Sequence, residues 1–206
     1  MLLAFATARV AAPRLFAAVA AEARRRIDEL HSRDMVDMLW AFSCVAWAQK
    51  EIFSELGSRV AERFDELSKV SKSQLFLVTL YVKTTWPDLD FAPCAHVESC
   101  QSAYVESEPN PSRLQRDVSV ALERMSWSHR FNHETDEGFS LDLAEPASKA
   151  AIEVDPPSHY LKDAVSNQYV LNGATLFKSR LARDHGWQVA RVAFYEWDGK
   201  SDAARR

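Results

Sequence analysis

Apolar side chains in the first half of the chain recur at spacings of three and four residues. Phe16, Val19, Ala23, Ile27 and Leu30 form one such series, and Phe53, Leu56, Val60, Phe64 and Leu67 repeat it 37 residues later. Spacings of this kind trace one face of an α-helix. Identities return at the same offset: Leu2, Ala4, Phe5, Arg26, Asp28 and Glu29 recur as Leu39, Ala41, Phe42, Arg63, Asp65 and Glu66. A further apolar series, Met35, Met38, Leu39, Phe42 and Val45, precedes the later of these helices, with Ser32 placed as its N-cap. Each unit is therefore expected to be a pair of helices. A third, partial copy starts near Ser73 and runs through Leu75, Phe76, Val78 and Leu80, and Pro87 falls two offsets after Pro13, at the turn between paired helices.

A period in the thirties with two amphipathic helices per unit predicts an α-solenoid of helical hairpins over residues 1–92. A single hairpin cannot bury its apolar face alone, so these units are expected to be the C-terminal part of a longer array or of a gene model that begins late. Residues 1–26 also carry Arg9, Arg14, Arg24, Arg25 and Arg26 with no acid before Glu22, a pattern shared with organellar presequences. The register match at five core positions favours a repeat there.

From 93 to 111 the periodicity stops and Pro, Ser, Asn and Glu accumulate, which predicts a linker. Ser112 then stands as a cap before a helix through Leu114, Val118, Ala121, Leu122 and Met125. Strands are expected over 128–134, 139–143 and 150–154, a helix over 174–185 closed by Gly186, and a last strand over 187–195. Helix, three strands, helix and strand make a small α/β module over 112–198, followed by a tail at 199–206.

Composition narrows the functional classes. Of 206 residues, 47% are hydrophobic and 26% charged, which suits a packed core and excludes intrinsic disorder. Three cysteines, Cys44, Cys94 and Cys100, are too few for a disulfide framework. No stretch approaches the roughly 18 consecutive apolar residues of a membrane span. The net charge of −4 is uneven: residues 1–95 are balanced, 96–145 carry −6, and 146–206 carry +2. A sequence-independent nucleic-acid coat needs a clear basic excess. Composition therefore points away from general coating and leaves room for a local groove.

The segment from Lys149 to Tyr160, Lys-Ala-Ala-Ile-Glu-Val-Asp-Pro-Pro-Ser-His-Tyr, resembles the signature strand of the RAP domain, a module named for its abundance in apicomplexan RNA-binding proteins. Asn172-Gly-Ala-Thr-Leu-Phe-Lys178, His185-Gly-Trp-Gln-Val189 and Phe194-Tyr-Glu-Trp197 follow in the family's order, and Ser112 to Val118 and Phe139 to Asp142 match upstream. The 37-residue units resemble the octotricopeptide and heptatricopeptide arrays that often precede RAP domains. The resemblance implies an α + α/β chain whose second part is a restriction-endonuclease-like module of the PD-(D/E)XK type. It also implies action in a mitochondrion or plastid on single-stranded organellar RNA, in mRNA stability, processing, translation or ribosomal RNA maturation. Ribosomal or RNA-processing proteins are the partners it suggests.

Within that fold Asp142 and Glu153 sit where the two metal-binding acids are placed, and Asp155 shares a face with Glu153 because side chains alternate along a strand. Two carboxylates on neighbouring strand ends suit a Mg or Mn ion that activates water for phosphodiester attack. The lysine that usually follows two residues after the second acid is here Asp155, and Lys178 on the next helix is the substitute. Pro156 replaces a common glycine and removes a backbone donor. Binding RNA requires no cofactor; candidates for it are His159, Tyr160, Lys178, Arg180, Arg183, Arg191 and Trp197. Aromatic rings such as Tyr160, Tyr195 and Trp197 suit stacking on unpaired bases, whereas Trp187, directly after Gly186, reads as core.

The repeats offer less. Trp40 and Trp47, seven residues apart, read as packing between units, and Arg33, Asp37, Lys72 and Gln74 are candidates for a concave RNA-facing side. Cys94, His96 and Cys100 with His129 or His133 do not follow a standard zinc spacing. Three functions stay open on sequence: an RNA-binding regulator, a metal-dependent endoribonuclease, and a structural subunit of an organellar ribosome or RNA-processing complex.

Overall fold

A computed structural model of the chain describes residues 1–10, 12–107 and 110–197. The expected tail at 199–206 lies outside the described residues. The described residues form two compact units: 1–107 with 172–178, and 110–171 with 179–197.

The first unit is built from helices α1 (Leu2–Thr7), α2 (Pro13–Arg25), α3 (Ser32–Cys44), α4 (Lys50–Glu62), α5 (Lys69–Thr85) and α6 (Val97–Val105). The periodic positions are its core: Phe16, Phe42, Phe53 and Phe76 are buried. Their rings follow one another through the unit, Phe16 to Phe42 at 6.1 Å, Phe42 to Phe53 at 6.3 Å and Phe53 to Tyr81 at 5.8 Å. Trp47, expected to pack between units, packs on Phe42 of its own unit at 4.8 Å. None of the described helices is long and apolar enough to cross a membrane.

Two features of this unit differ from expectation. Ser32 is the first residue of α3 rather than its cap. It donates its hydroxyl to the Glu66 carboxylate at 2.5 Å, a bond from one unit to the next, while Arg63 donates to the carbonyl of Leu30 at 2.9 Å. The stretch expected as a linker, 93–111, holds all but the first residue of a 3-10 turn, Ala92–His96, and the whole of α6. Cys100, Ala103 and Tyr104 bury one side of α6, and Tyr104 meets Phe76 at 5.3 Å. The polar Ser and Glu residues that masked this helix lie on its outer side.

The second unit starts at helix α7 (Arg113–Arg124). Ser112 caps it in a capping box: its hydroxyl accepts from the Gln115 backbone N–H, and the Gln115 side chain accepts from the Ser112 N–H. Strands β1 (Arg130–Glu134), β2 (Ser140–Glu145) and β3 (Ala150–Asp155) follow, then a short hairpin of β4 (Tyr160–Lys162) and β5 (Tyr169–Leu171). Helix α8 (Gly173–Asp184), strand β6 (Gln188–Ala193) and a last turn of helix, α9 (Phe194–Trp197), complete the described chain.

The four-stranded sheet has the order β1-β2-β3-β6. β1, β2 and β3 are antiparallel neighbours, whereas β3 and β6 run parallel, with Glu153 opposite Arg191 and Asp155 opposite Ala193. Parallel neighbours need a crossover, and the chain between β3 and β6 contains α8. The helix stops at Gly186, whose φ of +86° suits only glycine without strain. Gly186 N–H donates to the Arg183 carbonyl and Trp187 N–H to the Ala182 carbonyl, the paired bonds of a Schellman stop. One side of the sheet is apolar: Val118 of α7 packs with Leu143 and Val154, joined by Leu114, Leu122, Ile152 and Val192.

Candidate functional site

The other side of β3 is the polar one. Alternation places Ala151, Glu153 and Asp155 together on it, and the parallel register brings Arg191 of β6 alongside. Glu153 and Asp155 are both buried. Asp155 is the last residue of β3, so it stands at the carboxyl end of the parallel pair, the end of an α/β sheet where ligands bind.

Around Asp155 a hydrogen-bonded cluster is assembled from four elements. Its Oδ1 accepts from His159 Nδ1 at 2.8 Å and from the Arg191 guanidinium. Its Oδ2 accepts from the Tyr160 hydroxyl at 3.2 Å. The second Arg191 nitrogen donates to the buried Ser179 hydroxyl on α8. His159 reaches the carboxylate because Pro156 leads into the 3-10 turn Pro157–His159, closed by His159 N–H donating to the Pro156 carbonyl at 3.0 Å. Burial pushes the Asp155 carboxyl up, but the hydrogen bonds from His159 and Arg191, with the Arg191 charge, outweigh it and hold the group below its ordinary value. Burial and the Asp155 charge raise the Tyr160 hydroxyl, so it stays a donor.

Beside this cluster lies a second group, made of rings. Tyr169 of β5 and Tyr195 of α9 stack with centroids 5.0 Å apart and planes 12° from parallel. Tyr160 meets Tyr195 edge-on at 5.4 Å, and Phe194 meets Tyr169 edge-on at 5.1 Å. The Lys162 ammonium stands 5.8 Å from the Tyr169 ring. Tyr169 is 39% exposed and Tyr195 42%, so the stacked pair opens to solvent. Tyr160 joins the two groups, with its ring among the aromatics and its hydroxyl on Asp155.

The residues singled out from sequence are thus distributed unevenly. Asp155, His159, Tyr160 and Arg191 come together. Asp142 is half-buried on β2, and its Oδ2 accepts the Val154 backbone N–H at 2.8 Å, which ties β2 to β3. Among the described residues no group of three or more His, Cys, Asp or Glu side chains is arranged to hold a metal ion. Asp155, read from sequence as a catalytic candidate on the Glu153 face, spends both oxygens on Arg191, His159 and Tyr160.

Lys178 and Arg180 are half-buried on α8, and Lys178 falls on the half of that helix that groups with the helical repeats. Arg183 is exposed near the end of α8. Trp197, expected as a stacking ring, is half-buried and packs against the Val118, Leu143 and Val154 cluster, while Trp187 is buried at the start of β6 as expected. Sequence reasoning missed Tyr169. Its strand has three residues, too short to show alternation, and only the nearby motif residues Tyr160 and Tyr195 point towards it.

Comparison with known proteins agrees with this module. Residues 152–204 match the model of the RAP domain, from within β3 through the β4–β5 hairpin, α8 and β6. The chain is 25% identical over 182 residues to a protein of Oryza sativa subsp. japonica described as a RAP domain-containing protein, chloroplastic. That alignment covers 81% of this chain and 27% of the rice protein, so the chain spans about a quarter of the length of the relative it matches. The polar cluster and the aromatic group both lie within the matched residues. The C-terminal module of this chain is thus similar to the RAP domain over residues 152–204, and the helices before it fit repeats.

Proposed function

We propose that this protein is an RNA-binding regulator of organellar RNA metabolism, acting in a plastid, whose RAP module holds single-stranded RNA without cutting it. The observation that carries this reading is the state of Asp155 at the carboxyl end of the parallel strand pair. In a metal-dependent nuclease the acids of such a site stay open to a cation. Here the Asp155 carboxylate is fully buried and already neutralised by Arg191, with His159 and Tyr160 also donating to it. Such a carboxylate positions donors; it does not bind magnesium without giving up those contacts.

What it positions suits a polyanion with unpaired bases. His159 and Arg191 are fixed beside exposed tyrosines, and base stacking on such rings tolerates any sequence. The RAP match and the chloroplastic description of the rice relative support the RNA and plastid parts of the reading. The helical repeats then supply a second surface, for transcript or for a protein partner.

The test mixes the full chain with labelled single-stranded RNA in magnesium, in manganese and in chelator, with Glu153→Ala as control. Binding that is unchanged by chelator, with intact RNA recovered, is the expected result. Metal-dependent cleavage that Glu153→Ala abolishes would make the protein a ribonuclease.

A further inference from the structure

The aromatic group has more definition than general RNA holding requires. Its two exposed rings are already parallel, so a flat ligand adds to an existing stack and does not have to build one. Tyr160 meets Tyr195 edge-on and Phe194 meets Tyr169 edge-on, which fixes the two rings. Lys162, whose ammonium stands 5.8 Å from the Tyr169 ring, is exposed. A flat apolar ligand with an anionic attachment fits these features, and an unpaired nucleotide has that chemistry.

His159 adds a second criterion. An ionised carboxylate only accepts hydrogen bonds, so the nitrogen facing Asp155 must carry a proton. In the neutral ring that leaves a lone pair on Nε2, the nitrogen turned away from Asp155. The His159 side chain is 37% exposed, so a ligand can approach the ring. A ribose 2′-hydroxyl is a donor as well as an acceptor, and it is the group by which proteins tell RNA from DNA.

We infer that the RAP module contains a subsite for one unpaired ribonucleotide: its base extends the Tyr169–Tyr195 stack, Lys162 meets its phosphate, and His159 Nε2 accepts from its 2′-hydroxyl. The subsite rests on the RNA-binding reading above and specifies which atoms of the RNA are read there.

The experiment uses the full chain and a short unstructured RNA carrying 2-aminopurine in place of one adenine, moved along the strand, with an all-deoxy strand as its counterpart. Stacking on tyrosine quenches the reporter, and anisotropy gives the affinity. Wild type and Tyr195→Phe are expected to quench it at one position of the strand. Tyr195→Leu keeps an apolar side chain without a ring and is expected to lose the quenching and about tenfold in affinity. The deoxy strand is expected to bind wild type more weakly, and His159→Ala to erase that preference. Thermal midpoints of the variants check that each is folded.

RNA binding that Tyr195→Leu leaves intact, in strength and in quenching, would overturn the subsite and leave the RNA reading standing. Equal affinity of wild type for the two strands would overturn the ribose contact. Failure of wild type to bind any strand would overturn both the subsite and the reading beneath it.

Discussion

His159 Nδ1 lies 2.8 Å from Oδ1 of an Asp155 side chain that is wholly buried at the end of β3. Four residues separate them in sequence, and the turn begun by Pro156 folds the imidazole back onto the strand that precedes it. Arg191, 36 residues further on, reaches the same oxygen from β6. A local turn and a parallel strand pairing therefore converge on a single carboxylate, and most of what the site can do follows from that.

Removing this carboxylate should be costly. Asp155→Ala leaves Arg191, largely buried, without its counter-charge, and breaking a buried ion pair from one side costs about 3–5 kcal/mol. Urea denaturation of the variant should show a loss of that size. A loss below about 1 kcal/mol, the value of an exposed pair, would mean that the pairing is loose in solution.

The same group should make stability depend on acid. Its folded pKa lies below its ordinary value of 3.8, so the unfolded chain takes up the proton first as pH falls. The stabilisation is fully present above the unfolded value and is lost as pH drops through the folded one. Unfolding curves measured below pH 4 should therefore fall less steeply with acid for Asp155→Asn than for wild type. Parallel slopes would remove Asp155 from the acid response.

The bond from Ser32 to Glu66 should register as coupling between consecutive helical units. A hydrogen bond to a charged group contributes about 1.5–3 kcal/mol, and exposure of Glu66 reduces this to about 1 kcal/mol. A double-mutant cycle of Ser32→Ala and Glu66→Gln should return an interaction energy of that order. Full additivity would show that the two side chains do not meet.

Much of this organisation was legible in the chain itself. The 37-residue offset located Phe16, Phe42 and Phe53 in the core, and Ser112 announced the start of α7. Alternation placed Asp155 on the Glu153 face. The partner of Asp155 was not legible, because the register of β3 on β6 is a long-range property and no local pattern brings Arg191 to that carboxylate. Helix α6 was hidden by Pro93 and by a polar outer side, although Tyr104 continues the series of Leu30 and Leu67 at the same offset. Trp197 was misread for a related reason. Its burial depends on a cluster contributed by α7, β2 and β3, remote from it in sequence.

Gly57 offers a test of how tightly the helical unit is packed. It lies inside α4, where alanine is favoured over glycine by about 1 kcal/mol, so propensity alone predicts that Gly57→Ala stabilises. Packing predicts the opposite. A Cβ at this position would stand 2.3 Å from Cε2 and 2.8 Å from Cδ2 of Phe91, a ring that is itself buried. Overfilling a packed core costs about 1–3 kcal/mol, which exceeds the gain in helix propensity over most of that range. Gly57→Ala should therefore lower the unfolding midpoint. Placed in a Phe91→Leu background, where the ring is gone, the same change should stabilise, because only the propensity term remains. A stabilising effect in both backgrounds would mean that Phe91 moves aside without cost, and that α4 meets the turn before α6 less closely than the structure shows.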